Sequence, residues 1–390
     1  MNISREDLFF IHALEHPRDD EWRQMSIQLC TPTLNWSRLF QRADAMGLGP
    51  LLYRQLSGVK AQLKIPDDGM EFLKNIYLRN LAKNTYRGIE LNRIIKAFND
   101  AGIAVIILKG AALAEGVYND PGARVYGDLD ILLKKEDLER GRELLSRLNY
   151  TSNQTAGAQD HYRTHHHHLA PMIHQETSVV VELHWNVNNR INVDIDAWRN
   201  RSVLADIAGC RVRVLGWTDL ILHLCLHLFS SGETRNSMRG IYDIYRALQC
   251  AGMSMDWTLF DAEAYRYGVR EEVYPALQTT RNLFDPGGSR VVWPAFLPAD
   301  ASLVAQMESI VFSIDNRTPY PGSLVAIQAE KRLGKKILGL WKRFFPNPTQ
   351  MAMHYGVAES SWRVYLYYLF RPLQLFWRYG KYTRQFIVPK

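Results

Sequence analysis

The sequence predicts an α+β protein, and three observations carry that prediction. Residues 1 to about 97 place apolar side chains at three- and four-residue spacing, the period of a helix, in EDLFFIHALEH, WSRLFQRADAMGLGPLLYRQL and MEFLKNIYLRNLAKNTYRGIELNRIIKAFNDAG. Residues 98–215 turn instead to short runs rich in Val, Ile and Leu, which read as strands. From about Trp217 the helical period returns, in TDLILHLCLHLFSSG, RGIYDIYRALQCAG and FDAEAYRYGV. These shifts divide the chain into a helical N-terminal region (1–97), a strand-rich core (98–215), a second helical region (216–330) and a tail (331–390).

Each element has a local reason. Pro and Gly separate the N-terminal helices. The apolar strand Ile103–Leu108 runs into a Lys109-Gly110 turn, and a second strand, Asp128–Leu133, leads to the helix KEDLERGRELLSRLNY. Two extended runs follow, HHHHLAPMIH and SVVVELHW, with Gln175-Glu176-Thr177 as the hairpin turn between them. Gly287-Gly288 and WPAFLP mark a loop before the tail.

Composition bounds the function. The 390 residues are 47% hydrophobic and 22% charged, ordinary for a folded protein of two or three domains. Cys30, Cys210, Cys225 and Cys250 are widely spaced, form no C-x-x-C pair and read as reduced residues with no disulfide partner. No apolar run reaches the roughly 18 residues of a membrane span, and the first residues are acidic where a signal peptide would not be, so the expected location is cytoplasmic. The net charge of +7 is uneven: residues 331–390 hold twelve Lys or Arg against one acid, Glu359, for +11, which leaves −4 for residues 1–330.

That tail interleaves cations with aromatics in KRLGKKILGLWKRFF and FRPLQLFWRYGKYTR, a composition suited to an anionic membrane surface or nucleic acid. In the second segment Arg371, Gln374, Arg378 and Lys381 share one helical face and Leu373, Phe376 and Trp377 another, with Pro372 expected in the first turn. Two readings follow: a helix docked on the body with its basic face in solvent, or peripheral contact with the inner face of the membrane.

The chemistry concentrates on two strands. Alternate strand residues point to one side, so Asp128 and Asp130 can share a cation while Leu129 enters the core. On Ser178–Trp185, Val180, Glu182 and His184 lie on one face. If this strand pairs beside Asp128–Leu133, Glu182 completes a three-carboxylate cluster, whose self-repulsion one or two Mg²⁺ ions would relieve. Arg124, four residues before Asp128, can contact phosphate or balance the carboxylates. Asp128 and Asp130 could instead cap a strand beside Arg124 or belong to another D-x-D enzyme, although a glycosyltransferase D-x-D would not explain LKG upstream or VELHW downstream.

In order, the landmarks hhhLKG, Tyr118, Arg124, DLDILL, a helix ending in Asn149-Tyr150, a His-His pair and VELHW resemble the uncharacterised nucleotidyltransferase branch of the DNA polymerase β-like superfamily, over roughly residues 30–250. The resemblance implies a polymerase-β-like palm, a small mixed sheet with helices, flanked by N- and C-terminal helical regions. It implies a nucleoside triphosphate donor and Mg²⁺, replaceable by Mn²⁺, held by Asp128, Asp130 and Glu182. Lys109-Gly110 stands where the wider superfamily has Gly-Ser, and with Arg124 it would meet the donor phosphates. The family's His-His pair points to His167 and His168 beside the site, with His184. Strand alternation would part His166 and His168 from His165 and His167, which argues against a four-histidine metal site. His223 and His227 have zinc-compatible spacing, yet no Glu follows His223 and no third ligand is near in sequence, so they read as core or interface residues. Asp243 matches an aspartate of the family, placed either to touch nucleotide or to anchor a helix.

The expected function is Mg²⁺-dependent, two-metal-ion transfer of an NMP group from an NTP to an acceptor hydroxyl or phosphate on a saccharide, peptide or RNA, in polysaccharide or envelope assembly. The alternatives are a toxin-like enzyme that modifies RNA, and a non-catalytic scaffold with the same fold.

Overall fold

The computed structural model describes residues 4–15, 20–30, 34–189, 191–230, 237–295, 299–312, 333–358 and 360–387. Four helices, α1 (Arg5–Leu14), α2 (Asp20–Leu29), α3 (Trp36–Ala45) and α4 (Gly49–Ser57), precede the 34-residue α5 (Asp67–Asp100). The strand-rich part runs β1 (Ile106–Ile107), α6 (Lys109–Gly116), β2 (Asp128–Leu132), α7 (Leu138–Arg147), β3 (Tyr150–Thr151), α8 (Ala156–His165), β4 (Met172–His174), β5 (Val180–His184), α9 (Ile195–Arg201), β6 (Val203–Ile207) and β7 (Cys210–Val214). Helices α10 (Trp217–Ser230), α11 (Ser237–Ala251), α12 (Trp257–Arg266), α13 (Arg270–Phe284) and α14 (Ala301–Phe312) follow. The outcome is the α+β class that the periodicities predict.

The seven strands form one mixed sheet in the order β3-β4-β5-β2-β1-β7-β6. Its centre is β2, parallel to β5 on one side and antiparallel to β1 on the other. The strands alternate, so the sheet separates two apolar cores. Leu129, Ile131, Val181 and Leu183 join Leu91, Ile94 and Phe98 of α5 and Leu138 and Leu145 of α7 in one. Ile106, Leu108 and Leu132 turn to the other, built from α1, α3 and α4 together with α10, α11 and α13. The first and third regions of the chain thus share a core; Tyr242 of α11 donates to the Leu14 carbonyl of α1, 228 residues away in sequence, at 2.9 Å.

Helix α5 also positions the loop that enters β2. Asn80 donates to the carbonyls of Gly122 (2.8 Å) and Arg124 (3.1 Å), and Asn84 to those of Pro121 (2.6 Å) and Arg124 (2.8 Å). A loop has no ladder to satisfy its carbonyls, so two buried amides one helical turn apart do so.

In the tail, helices Leu333–Phe344, Pro348–Tyr355 and Arg363–Ile387 are present, and none of the described helices is long and apolar enough to cross a membrane. Two expectations are corrected. Pro372 lies inside the last helix instead of in its first turn, because that helix begins at Arg363. Leu373 and Trp377 are exposed instead of docked, since the inner contact is made by Val364, Tyr367 and Tyr368 against Met351, Ala352 and Tyr355. The side chains of Phe376, Arg378 and Lys381, the end of WPAFLP, and Lys331-Arg332 lie outside the described residues.

Replacing Asn84 with Leu removes the donor to the Pro121 and Arg124 carbonyls. It is expected to cost roughly 1–3 kcal/mol in urea-denaturation stability.

Candidate active site

The parallel pairing of β2 with β5 sets Asp130 level with Glu182 and Leu132 level with His184. Asp128, Asp130, Glu182 and His184 therefore lie on the side of the sheet that faces the helices. Asp130, 2% exposed, is the centre of the group. Its Oδ1 lies 2.9 Å from His184 Nε2 and 3.2 Å from Lys109 Nζ. Glu182 Oε2 lies 3.4 Å from the same His184 nitrogen and 3.7 Å from His168 Nδ1.

Each charge answers to its neighbours. Burial by itself would raise the Asp130 carboxyl, but Lys109 and His184 hold it well below the usual carboxylate range. Asp128 goes the other way, raised first by the charge of Asp130 and then by burial. Burial opposes ionisation of Glu182 as well, and the bond to His184 outweighs it, leaving that carboxyl low. Lys109 and His184 lose to burial and gain more from the carboxylates, so both are raised.

The site fits a divalent cation. Asp130, Glu182 and His184 each offer a ligand atom within 4.8 Å of the others. Asp130 Oδ2 is buried with no hydrogen-bond partner, an acceptor left open in the middle of the cluster. Two carboxylates and an imidazole suit Mg²⁺ or Mn²⁺, the imidazole favouring the latter. Asp128, half-buried at the first position of β2, adds a carboxylate beside this set. His184, expected only as a lining residue, stands among the ligand atoms.

Lys109 and Gly110 are the first residues of α6, not a turn, because the chain bends directly from β1 into the helix with Leu108 as N-cap. No side chain caps that end, where the first amides of a helix have no partner within it. Gly110 packs where a Cβ would meet the Tyr126 ring at 3.2 Å and the Asp128 carbonyl at 3.3 Å. Arg124 is buried, with Nε and Nη2 at 2.9 and 2.7 Å from the two oxygens of Asp243. The Tyr118 hydroxyl donates to Asp243 Oδ1 at 2.6 Å. Asp243 therefore anchors α11 to the loop before β2.

The histidine run is helical at His165 and extended after it, His168 pairing antiparallel with His184. Thr155 caps α8, accepting from the Ala158 N–H at 3.3 Å, and the helix carries through His165, so only Met172–His174 is a strand before β5. The rings of His167 and His168 lie 5.4 and 4.9 Å from that of His184 between centres. Burial, then His184, pushes His167 down to about 2. His223 is buried on α10, its pKa pushed to about 3 by burial and Lys109, and its ring lies 6.2 Å from that of His227. Neither joins the metal-capable group found among the described residues.

The profile of the family described as "Uncharacterised nucleotidyltransferase" matches residues 32–285, and the chain belongs to that family. No curated protein matches the sequence. Among solved structures, the solution structure of the antibiotic-resistance factor ANT(2'')-Ia is similar at 14% identity and a TM-score of 0.35, covering 47% of this chain and 95% of that one. A crystal structure of an antigenic nucleotidyltransferase-like protein from Paracoccidioides brasiliensis is similar at 16% identity and 0.29, covering 50% of this chain and 92% of that one.

The Asp130–His184 pair has a pH signature in metal-free protein. A raised His184 stabilises the fold fully below its ordinary 6.5, and that contribution fades as pH rises through the folded value. A lowered Asp130 stabilises above its ordinary 3.8 and loses that as pH falls through the folded value. In EDTA, the Tm advantage of wild type over His184→Gln is expected to be largest between these two ordinary values and to shrink in alkaline buffer.

Proposed function

We propose that the protein transfers the nucleotidyl group of an NTP to an acceptor hydroxyl or phosphate, with Asp128, Asp130 and Glu182 holding Mg²⁺, replaceable by Mn²⁺, in a two-metal-ion arrangement. The observation that supports this most is the level pairing of Asp130 with Glu182 on parallel neighbours, with Asp130 Oδ2 left open, in a chain of a nucleotidyltransferase family. Bound there, the cation would neutralise triphosphate charge and lower the pKa of the attacking hydroxyl.

The chain's own residues do the rest. His184 fixes the orientation of both carboxylates that it touches. Glu182, less deeply buried than Asp130, serves as base toward the acceptor. The amides at the start of α6 and the ammonium of Lys109 receive donor phosphates, and His168 orients Glu182 from the far side. Arg124, tied to Asp243 and through Nη1 to the Gly110 carbonyl, acts on the leaving pyrophosphate through its charge.

Each radiolabelled NTP, incubated with Mg²⁺ and candidate saccharide, peptide and RNA acceptors, tests the reading. Wild type should release pyrophosphate, and Asp130→Asn should lower the rate on the order of 10²-fold or more. Release no greater than that of the Asp128→Ala/Asp130→Ala control would leave the scaffold alternative.

The tail supports a location at an anionic membrane surface. On the helix Arg363–Ile387, Tyr365, Leu366, Leu369, Phe370, Leu373 and Trp377 form one exposed stripe, reaching 92% exposure at Trp377. On Leu333–Phe344, Ile337, Leu338 and Trp341 form a second. Apolar stripes on a segment of charge +11 suit insertion beneath anionic headgroups. Wild type should sediment with phosphatidylserine-containing vesicles but not with pure phosphatidylcholine, and Leu369→Glu/Phe370→Glu should lose most of the bound fraction. Salt-sensitive binding of tRNA with no vesicle binding would favour the RNA-modifying alternative.

A further inference from the structure

A second arginine stands beside the Arg124–Asp243 pair with its hydrogen-bonding capacity unused. Arg239 lies on α11 one turn before Asp243, which puts both on the helix face that meets the loop before β2. Among the described residues, no hydrogen bond or ion pair engages its guanidinium. Asp243 is held elsewhere: Oδ1 accepts from Tyr118 and Arg124 Nε, and Oδ2 from Arg124 Nη2. The other cation at the site, Lys109, is engaged by Asp130.

The surroundings are shaped for this side chain. Gly47 adopts the left-handed conformation, φ +69°, and a Cβ there would stand 2.7 Å from Arg239 Nη1. Burial and then the charge of Arg124 push the Arg239 pKa down, against the pull of Asp243, Tyr118 and Asp128. Two adjacent arginines share one carboxylate, Asp243, whose oxygens Arg124 and Tyr118 take up, so among the described residues no hydrogen-bonded anion answers the charge of Arg239. Such a charge costs stability unless a ligand supplies the anion.

The anion has to satisfy two partners of opposite sign. Asp128 and the carboxylate cluster, which a phosphate approaches only through a cation, follow the loop that Arg124 ties to α11, and on α11 Arg239 offers planar donors that match phosphate oxygens. A single phosphate serves one partner, whereas a phosphate chain can serve both. We infer that Arg239 binds the terminal phosphates of the donor nucleotide, and the pyrophosphate that departs. This assignment rests on the nucleotidyltransferase reading above and names a residue for its donor site.

Calorimetric titration of the full chain with Mg²⁺–pyrophosphate and with each Mg²⁺–NTP tests it. Arg239→Gln should weaken both by roughly 10- to 100-fold, the loss of one charge-assisted hydrogen-bonding partner, and Arg239→Lys should recover part of that loss. Removing an unpaired cation should leave the Tm of the ligand-free protein unchanged or raised, whereas an arginine that holds the fold together would lower it. Arg239→Gln binding pyrophosphate and NTP as wild type does would overturn the assignment. So would equally weak binding by the Gln and Lys variants with a lowered Tm in both. Wild type that binds neither probe would overturn the nucleotidyltransferase reading itself, and this assignment with it.

Discussion

Asp130 sits in the middle strand of a sheet with an apolar core on either side, and a carboxylate in that position is tolerated only with its charge answered from within. The strand order supplies the answer. On one side of β2 the parallel β5 brings His184 and Glu182; on the other, β1 runs into α6 and delivers Lys109. With β2 at the sheet edge, one of these partners would be missing, and the burial cost of an isolated carboxylate would fall on the fold. The compensation is incomplete in one respect, because Oδ2 keeps no partner. That open acceptor makes a buried, well-balanced group into a place for a cation.

A second buried charge pair carries the arrangement outward. Arg124 and Asp243, 119 residues apart in sequence, tie the loop before β2 to α11, with Tyr118 completing the bond set. Asn80 and Asn84 hold the same loop from α5. The start of β2 is thus fixed from two helical regions at once, and so is the position of Asp128. The same pair explains why Arg239 is left over: Asp243, one turn along its helix, is occupied by another arginine. On the proposed reading, a site that receives a charged donor and releases a charged product gains from one group held rigid and one held in reserve.

Much of this was legible in the residues. The three-to-four spacing of the flanking regions and the period-two pattern of DLDIL and VVELH mark helix and strand without any tertiary knowledge, and the alternation already sorts Asp128, Asp130, Glu182 and His184 to one side. Other features were written locally but overridden. A run of histidines has no strong preference, so the Thr155 cap settled α8 and carried the helix into it. Lys109-Gly110 looks like a turn because Gly usually breaks structure, whereas here Gly is chosen for contact with Tyr126. In the tail, amphipathic spacing identified the helices but could not say which face meets the protein; Val364, Tyr367 and Tyr368 took that contact and left the apolar stripe exposed.

The sequence by itself determined the periods, the charges and the faces, because side-chain direction along a strand or helix follows from covalent geometry over a few residues. Only the tertiary structure decided that β5 lies beside β2 with Glu182 level with Asp130, that His184 joins the ligand atoms, and that Asp243 belongs to Arg124 and not to Arg239. Those outcomes depend on which distant segments bury their apolar faces together, a choice made by packing the whole chain and encoded in no local stretch of it.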